Sequence, residues 1–347
     1  MTEPNPSGMQ IVIHNHPERT GWIRRWFFRT ILLVSLIANA VLLISAASYV
    51  SQSQVAERFR DGDPTAPDKI AFVPILGMIT SDGAKSAIKE LKRAADDPAI
   101  RAVILEIDTP GGTVSGSDEL YHAVRQFKEG AGSKKPVVAF LRGNATSGGY
   151  YIAVGADKII AERSCVTGSI GVIMSMFQGE ALLNKVGVQP EIVKSGSRKD
   201  SGSMYRAMSE QERKEWQAMV DGMYRQFLDV VLKHRGEAVG GEEKLLPLAD
   251  GRVIAAPDAL KAKLIDALGY EDDAIAEAKR LAGLPDKVRL VEYSRPVFGL
   301  SSLLFSASPA PPAENWRRIA SAMSPQLMMM PGPSFDSFVG VLEGTVR

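Results

Sequence analysis

Hydrophobic residues are unevenly spread along the chain, and the longest uncharged stretch comes early: residues 30–56 contain no Asp, Glu, Lys or Arg. Within it, ILLVSLIANAVLLISAASYV is long enough to cross about 30 Å of hydrocarbon as a helix. Arg19, Arg24, Arg25 and Arg29 precede it against only Glu3 and Glu18, whereas residues 57–69 are mixed in sign. That asymmetry predicts a cytoplasmic N-terminus, with Trp22, Trp26, Phe27 and Phe28 at the interface. Ala46 and Ala47 resemble a cleavage site, yet signal peptides run to about 15–30 residues with a shorter apolar core, so an uncleaved anchor is expected. ERFRDGDPTAPD at 57–68 then reads as a polar linker.

Beyond it, short apolar runs alternate with helical periodicity. IAFVPILGMI (70–79), AVILEI (102–107), PVVAFL (136–141), KIIA (158–161), VIMSM (172–176) and EIV (191–193) are expected strands. Ala84, Ala87, Ile88, Leu91, Ala94 and Ala95 fall on one face of a helix, as do Leu120, Tyr121, Val124 and Phe127. Ser209 and Glu212 form a capping box before a long helix striped by Trp216, Met219, Val220, Met223, Phe227 and Val230, and another helix is expected over 272–282. This alternation predicts an α/β architecture with a parallel sheet. From Arg295 the pattern breaks into PAPP (309–312), Met328 to Met330 and PGP (331–333). Such a tail is too broken for its own core and too apolar for a simple linker, so it is expected to dock as an extended segment.

Composition narrows the chemistry. The chain has 347 residues, 45% of them hydrophobic and 23% charged, which leaves ample material for a core. Its 41 basic and 40 acidic residues give a formal charge of +1, which argues against a nucleic-acid-binding surface. Cys165 stands alone, excluding an intramolecular disulfide and a cysteine-rich zinc site. Of four histidines, His14 and His16 precede the apolar span, leaving His122 and His234. Neither H-E-x-x-H nor G-x-S-x-G occurs, so a serine enzyme built on this chain would have to recruit a lysine base.

Two glycine-rich segments each follow an apolar strand: DTPGGTVSG (108–116) and GNATSGGYYIA (143–153). A Pro-Gly-Gly turn exposes backbone N–H groups unobstructed by Cβ, as an oxyanion site requires. Ser147 precedes Gly148, Gly149 and a short apolar helix, so it sits near a helix N-terminus; an ordinary helix cap would look the same. KSGSRKD (194–200) supplies two lysines, and spacing alone does not choose between Lys194 and Lys199. A lysine acts as a base near neutrality only if burial or neighbouring cations favour loss of its proton, and Asp200 would oppose that if it approached the amine. Ser86 and Lys89 fit the S-x-x-K pattern of penicillin-binding proteins, with K-S-G at 194–196, but no S-x-N lies between them.

DTPGG (108–112), ATSGGYY (145–151), TGSIGV (167–172), KSGSRKD (194–200) and DGRV (250–253), in this order, resemble the bacterial signal peptide peptidases of the SppA type, short form, over residues 70–282. The resemblance implies an α/β Clp-protease/crotonase-like fold with one N-terminal transmembrane helix and a Ser/Lys dyad. By it, Ser147 is the nucleophile and Lys199, the lysine before Asp, the general base. Gly112 and Gly148 supply oxyanion N–H groups and Ser169 orients the lysine. It further implies hydrophobic peptide substrates such as released signal peptides, a homo-oligomeric ring on the extracytoplasmic side of the inner membrane, and no cofactor, metal or nucleic acid. The expected organisation is a cytoplasmic segment (1–29), a transmembrane helix (30–50), a linker (51–69), a peptidase domain (70–294) and a Pro/Met-rich tail (295–347). The rival readings are a crotonase-type acyl-CoA enzyme, which shares the fold and the paired amides, and a non-enzymatic membrane scaffold.

Overall fold

The computed structural model describes residues 20–52, 56–130, 135–294 and 326–329. Two compact units separate. The first contains helix α1 (Thr20–Gln52), whose 33 residues reach about 50 Å at 1.5 Å per residue. Its side chains from Trp26 to Leu36 are largely exposed. The expected span over 30–50 falls on this helix; several of its side chains lie outside the described residues, and among the described residues no helix is long and apolar enough to cross a membrane.

The second unit is α/β. Its strands are β1 (Ala56–Gly62), β2 (Lys69–Leu76), β3 (Ile100–Thr109), β4 (Gly112–Thr113), β5 (Val137–Thr146), β6 (Lys158–Ala161), β7 (Val166–Gly168), β8 (Ile173–Ser175), β9 (Val253–Ala255), β10 (Ala267–Leu268), β11 (Arg289–Ser294) and β12 (Gln326–Met329). Its helices are α2 (Ser81–Asp96), α3 (Val114–Glu129), α4 (Gly148–Ala153), α5 (Glu180–Lys185), α6 (Glu210–Val239), α7 (Glu242–Leu245), α8 (Ala256–Lys261) and α9 (Glu271–Ala282). The main sheet runs β1-β11-β2-β3-β5-β6-β10, with β7 also on β5 and β9 on β7. Only the β1–β11 and β7–β9 pairs in it are antiparallel.

The bare apolar runs become interior strands because both of their faces are covered. Val103, Leu105 and Ile107 of β3, with Val137, Ala139 and Leu141 of β5, join the core under α2, α3, α4 and α6. The alternate residues Ala102, Ile104, Val138 and Phe140 meet Ala274 and Ala278 of α9 on the other face. Thr80 and Thr113 cap α2 and α3 by accepting from Gly83 N and Gly116 N, each at 3.2 Å. The capping box of Ser209 and Glu212 opens α6, and Gly240 ends it at φ 93°.

Three expectations differ from the observed fold. Residues 191–193, expected as a strand, are irregular and unpaired; Ile192 and Val193 are exposed, so no neighbouring strand satisfies or covers them. The first half of the expected linker is the edge strand β1, whose Arg60 reaches across to Glu106 (2.8 Å) and Glu271 (2.7 Å) and lies over the Phe72 ring. Its charge masks its strand character, as is usual at a sheet edge. The stripe on α6 is buried only from Phe227 onward, with Leu228 and Val231, while Met219 is exposed.

Candidate active site

Ser147 is built by two parallel strands and a short helix. β5 delivers it at the strand end, and α4 begins at the next residue. Its backbone is held on both sides: its N–H donates to Gly168 O at 2.7 Å, and Tyr151 N–H donates to its carbonyl at 2.8 Å. Between these anchors Ser147 takes φ 51° and ψ −110°, a positive-φ conformation that costs a residue with a Cβ on the order of 1–3 kcal/mol. Its side chain is fully buried, makes no capping bond to α4, and its Oγ has no hydrogen-bond partner among the described residues. Backbone strain and a buried hydroxyl without a partner at one residue are the mark of a site kept for something other than stability.

The glycines around it are spatial requirements. A Cβ on Gly148 would lie 2.3 Å from Ser117 Oγ and 3.3 Å from Gly111 Cα. On Gly112 it would lie 2.0 Å from Ile79 O, because the Pro-Gly-Gly turn is tied down by Ile79 N→Gly111 O (2.8 Å) and Thr113 N→Ile79 O (2.9 Å). Those bonds leave Gly112 N unused by the Ile79 strand end. With six residues, α4 is too short for much of a macrodipole, so stabilisation of a developing oxyanion would fall to individual N–H groups.

Ser169 lies beside Ser147. Thr146 and Gly168 are register partners on β5 and β7, and each serine follows one of them; Ser169 also has positive φ, 49°. Its N–H donates to Arg252 O (2.8 Å), Arg252 pairs with Asp250 (2.6 Å), and β9 continues along β7. The DGRV segment thus holds the TGSIGV turn. Beneath α4, Tyr150 OH donates to Leu264 O (2.8 Å) and Tyr151 OH to Asp118 Oδ1 (2.7 Å). Burial pushes both phenols well above their ordinary range.

Among the described residues, none of the other candidate residues hydrogen-bonds Ser147 Oγ. Lys199 sits in an irregular, exposed stretch, and its side chain has no hydrogen-bond or ion-pair partner among the described residues. Within this single chain, therefore, it makes no hydrogen bond to Ser147 Oγ. Lys194 donates to Asp200 Oδ1 at 2.7 Å. His234, half-buried on α6, meets Tyr121 OH at 2.7 Å; burial and then Lys128 nearby push its imidazole down to about 4. His122 is exposed on α3. Burial pushes the Cys165 thiol up to about 12. Ser86 is a helical residue that bonds Glu90 at 3.4 Å. Segments 1–19 and the tail outside 326–329 lie outside the described residues.

Within the tail that is expected to dock as an extended segment, residues 326–329 form the strand β12. It runs antiparallel between β4 and β8, with Met329 opposite Gly112, Met328 opposite Thr113 and Ile173, Leu327 opposite Met174 and Gln326 opposite Ser175. An extended peptide thus occupies the slot that begins at the Gly112 turn, next to Ser147 and Gly148.

The sequence profile of peptidase family S49 matches residues 130–285, and that of the NfeD1b N-terminal domain matches residues 69–188. The chain is 41% identical over 232 residues to a Synechocystis sp. protein named "Putative protease slr0021", covering 66% of this chain and 81% of that protein. It is 33% identical over 270 residues to "Putative signal peptide peptidase SppA" of Enterococcus faecium, covering 75% and 76% of the two chains. With "Protease 4" of Salmonella typhi it shares 34% identity over 202 residues, 58% of this chain and 32% of that one.

Proposed function

This chain belongs to peptidase family S49, alongside SppA and Protease 4, and is by that membership a serine protease; on that premise we propose that Ser147 is its nucleophile and Lys199 its general base. The observation that carries the reading is the pairing of a strained, buried Ser147, whose Oγ has no partner among the described residues, with a slot that receives an extended peptide strand. Neutral Lys199 takes the Ser147 proton, the serinate attacks a peptide carbonyl, and Gly112 N–H and Gly148 N–H stabilise the tetrahedral oxyanion. Collapse releases the amine product and leaves an acyl-enzyme that water hydrolyses. Ser169, beside Ser147, orients the lysine.

Because Ser147 is buried and Lys199 is exposed without a partner among the described residues, the dyad is completed between protomers of a homo-oligomeric ring, and Met219, exposed on the first half of α6, offers apolar surface for assembly. The arginine excess before residue 30 and the uncharged stretch at 30–56 support an inner-membrane anchor with the protease unit outside the cytoplasm. That location favours hydrophobic peptides such as released signal peptides as substrates. In the same slot, the tail competes with substrate.

The reading is tested with a serine-reactive fluorophosphonate probe on the assembled protein. Labelling of wild type and loss of it in Ser147→Ala are expected. Unlabelled wild type would favour the scaffold reading, and turnover of acyl-CoA esters would favour the crotonase-type one. Added protease should reach the chain beyond residue 57 in intact spheroplasts, and protection there would reverse the topology.

A further inference from the structure

Lys199 is flanked by two charged residues, and both are tied to the start of α6. On one side, Arg198 pairs with Glu215 at 3.0 Å. On the other, Asp200 is clamped from two directions. Lys194 Nζ donates to its Oδ1 (2.7 Å), while Arg206 donates through Nε to Oδ2 (2.9 Å) and through Nη2 to Oδ1 (3.0 Å). The same guanidinium donates to both oxygens of Glu212, at 2.9 and 2.6 Å. Glu212 in turn accepts from Ser209 N at 2.9 Å as part of the capping box of α6. Trp216 Nε1 donates to Ser201 Oγ (3.0 Å), pinning the residue after Asp200 to the same helix. Although the surrounding stretch is irregular, the side chains of Asp200 and Glu212 are only 9% and 2% exposed.

A carboxylate adjacent in sequence to a general-base lysine is a hazard. Were it to approach the amine, it would favour the protonated, inactive form. Among the described residues of this loop and the start of α6, Asp200 has Arg206 and Lys194, Glu212 has Arg206, and Glu215 has Arg198, while Glu180 of α5 accepts from Ala207 N at 2.7 Å. We propose that Arg206, helped by Lys194, is a positioning residue for the reaction: it holds the Asp200 carboxylate away from Lys199 and fixes the loop to α6, so that the amine is presented without an acidic partner. The proposal rests on Lys199 being the general base. Arg206 and Lys194 also hold the Asp200 carboxyl far below its ordinary range, so the clamp is charged throughout the working pH.

The test is the pH dependence of peptide turnover in the full-length, assembled protein. In Arg206→Ala the freed Asp200 should move the acid limb of the kcat profile to higher pH, costing about fivefold on that limb, the size of a unit charge about 4 Å away in water, while alkaline turnover changes little. Arg206→Lys should restore part of the shift. Asp200→Asn should abolish the need for the clamp, so that Asp200→Asn/Arg206→Ala returns the limb to its wild-type position. Lys194→Ala, which leaves the Glu212 contacts intact, should give a smaller shift in the same direction and covers the case in which Arg206→Ala fails to fold.

Loss of turnover at every pH in Arg206→Ala, unrelieved by Asp200→Asn, would mean a structural role only and overturn the proposal. An unmoved limb in both Arg206→Ala and Lys194→Ala would do the same. Wild-type turnover in Lys199→Ala would instead overturn the underlying base assignment, and that outcome is read separately.

Discussion

Ser147 and Lys199 live in opposite surroundings. The serine is fully buried, held by backbone hydrogen bonds on both sides, and enclosed by glycines that have no room for a Cβ. The lysine stands on an exposed stretch with little regular structure, ordered by ion pairs rather than by a core. A site prebuilt within one chain and a base presented outward from it make sense together if assembly brings them into contact. In the proposed dyad, one half of the chemistry is fixed by folding and the other half is available to be switched by association.

The largest effects should come from the two groups proposed to react. Ser147→Ala and Lys199→Ala are each expected to lower turnover by more than about 10³-fold with folding intact, whereas His122→Ala keeps most activity. A steady-state peptide assay on size-checked oligomer decides it. Retained turnover in either variant would show that Ser147 and Lys199 do not act as a dyad.

Next is the rigidity of the serine side. Gly112→Ala would drive a Cβ to 2.0 Å from a backbone oxygen, which cannot swing away as a side chain could. It should cost roughly 1–3 kcal/mol of stability by overpacking and lower kcat/KM as well, seen by thermal melts alongside kinetics. An unchanged Tm would show the turn to be softer than its bonds imply.

The tail strand bears on the serine side, since it lies between β4 beside Ser147 and β8. Deleting residues 300–347 should raise turnover roughly two- to tenfold, the gain if the occupied slot is free 10–50% of the time. Unchanged kinetics in a correctly assembled oligomer would remove the competition.

The smallest effect separates support from chemistry. His234 is neutral in the fold, its imidazole pushed down to about 4, while an unfolded chain takes up the proton near the ordinary value of about 6.5. Below about 6.5 the unfolded state therefore binds more protons, and stability should fall as pH drops from there toward 4. His234→Gln should flatten that part of the Tm-against-pH curve and leave the alkaline side of the activity profile unmoved. A wild-type slope in the variant would assign the acid sensitivity elsewhere.

Much of this was legible in the pattern. KIIA at 158–161, the capping box of α6 and the apolar β3 and β5 runs are local signals that tertiary packing reinforces. What escaped was set by partners distant in sequence. EIV at 191–193 has strand composition but no strand beside it, and β1 has charged composition but a partner in β11. Glycine and serine spacing pointed to Ser147, yet the bond from its N–H to Gly168 O on β7, which anchors the positive-φ backbone, is one that no local rule contains. Arg206 carried no motif at all. Its role emerges only because α6 brings Glu212 against the Asp200 loop.

In the proposed assembly the buried serine of one protomer is served by the exposed lysine of another. Mixing Ser147→Ala with Lys199→Ala protein, each inactive alone, under conditions of proven subunit exchange measures this directly. Partial recovery of peptide turnover is the predicted result, since some junctions then pair an intact serine with an intact lysine. No recovery in demonstrably mixed oligomers would contradict it and place both residues in a single protomer.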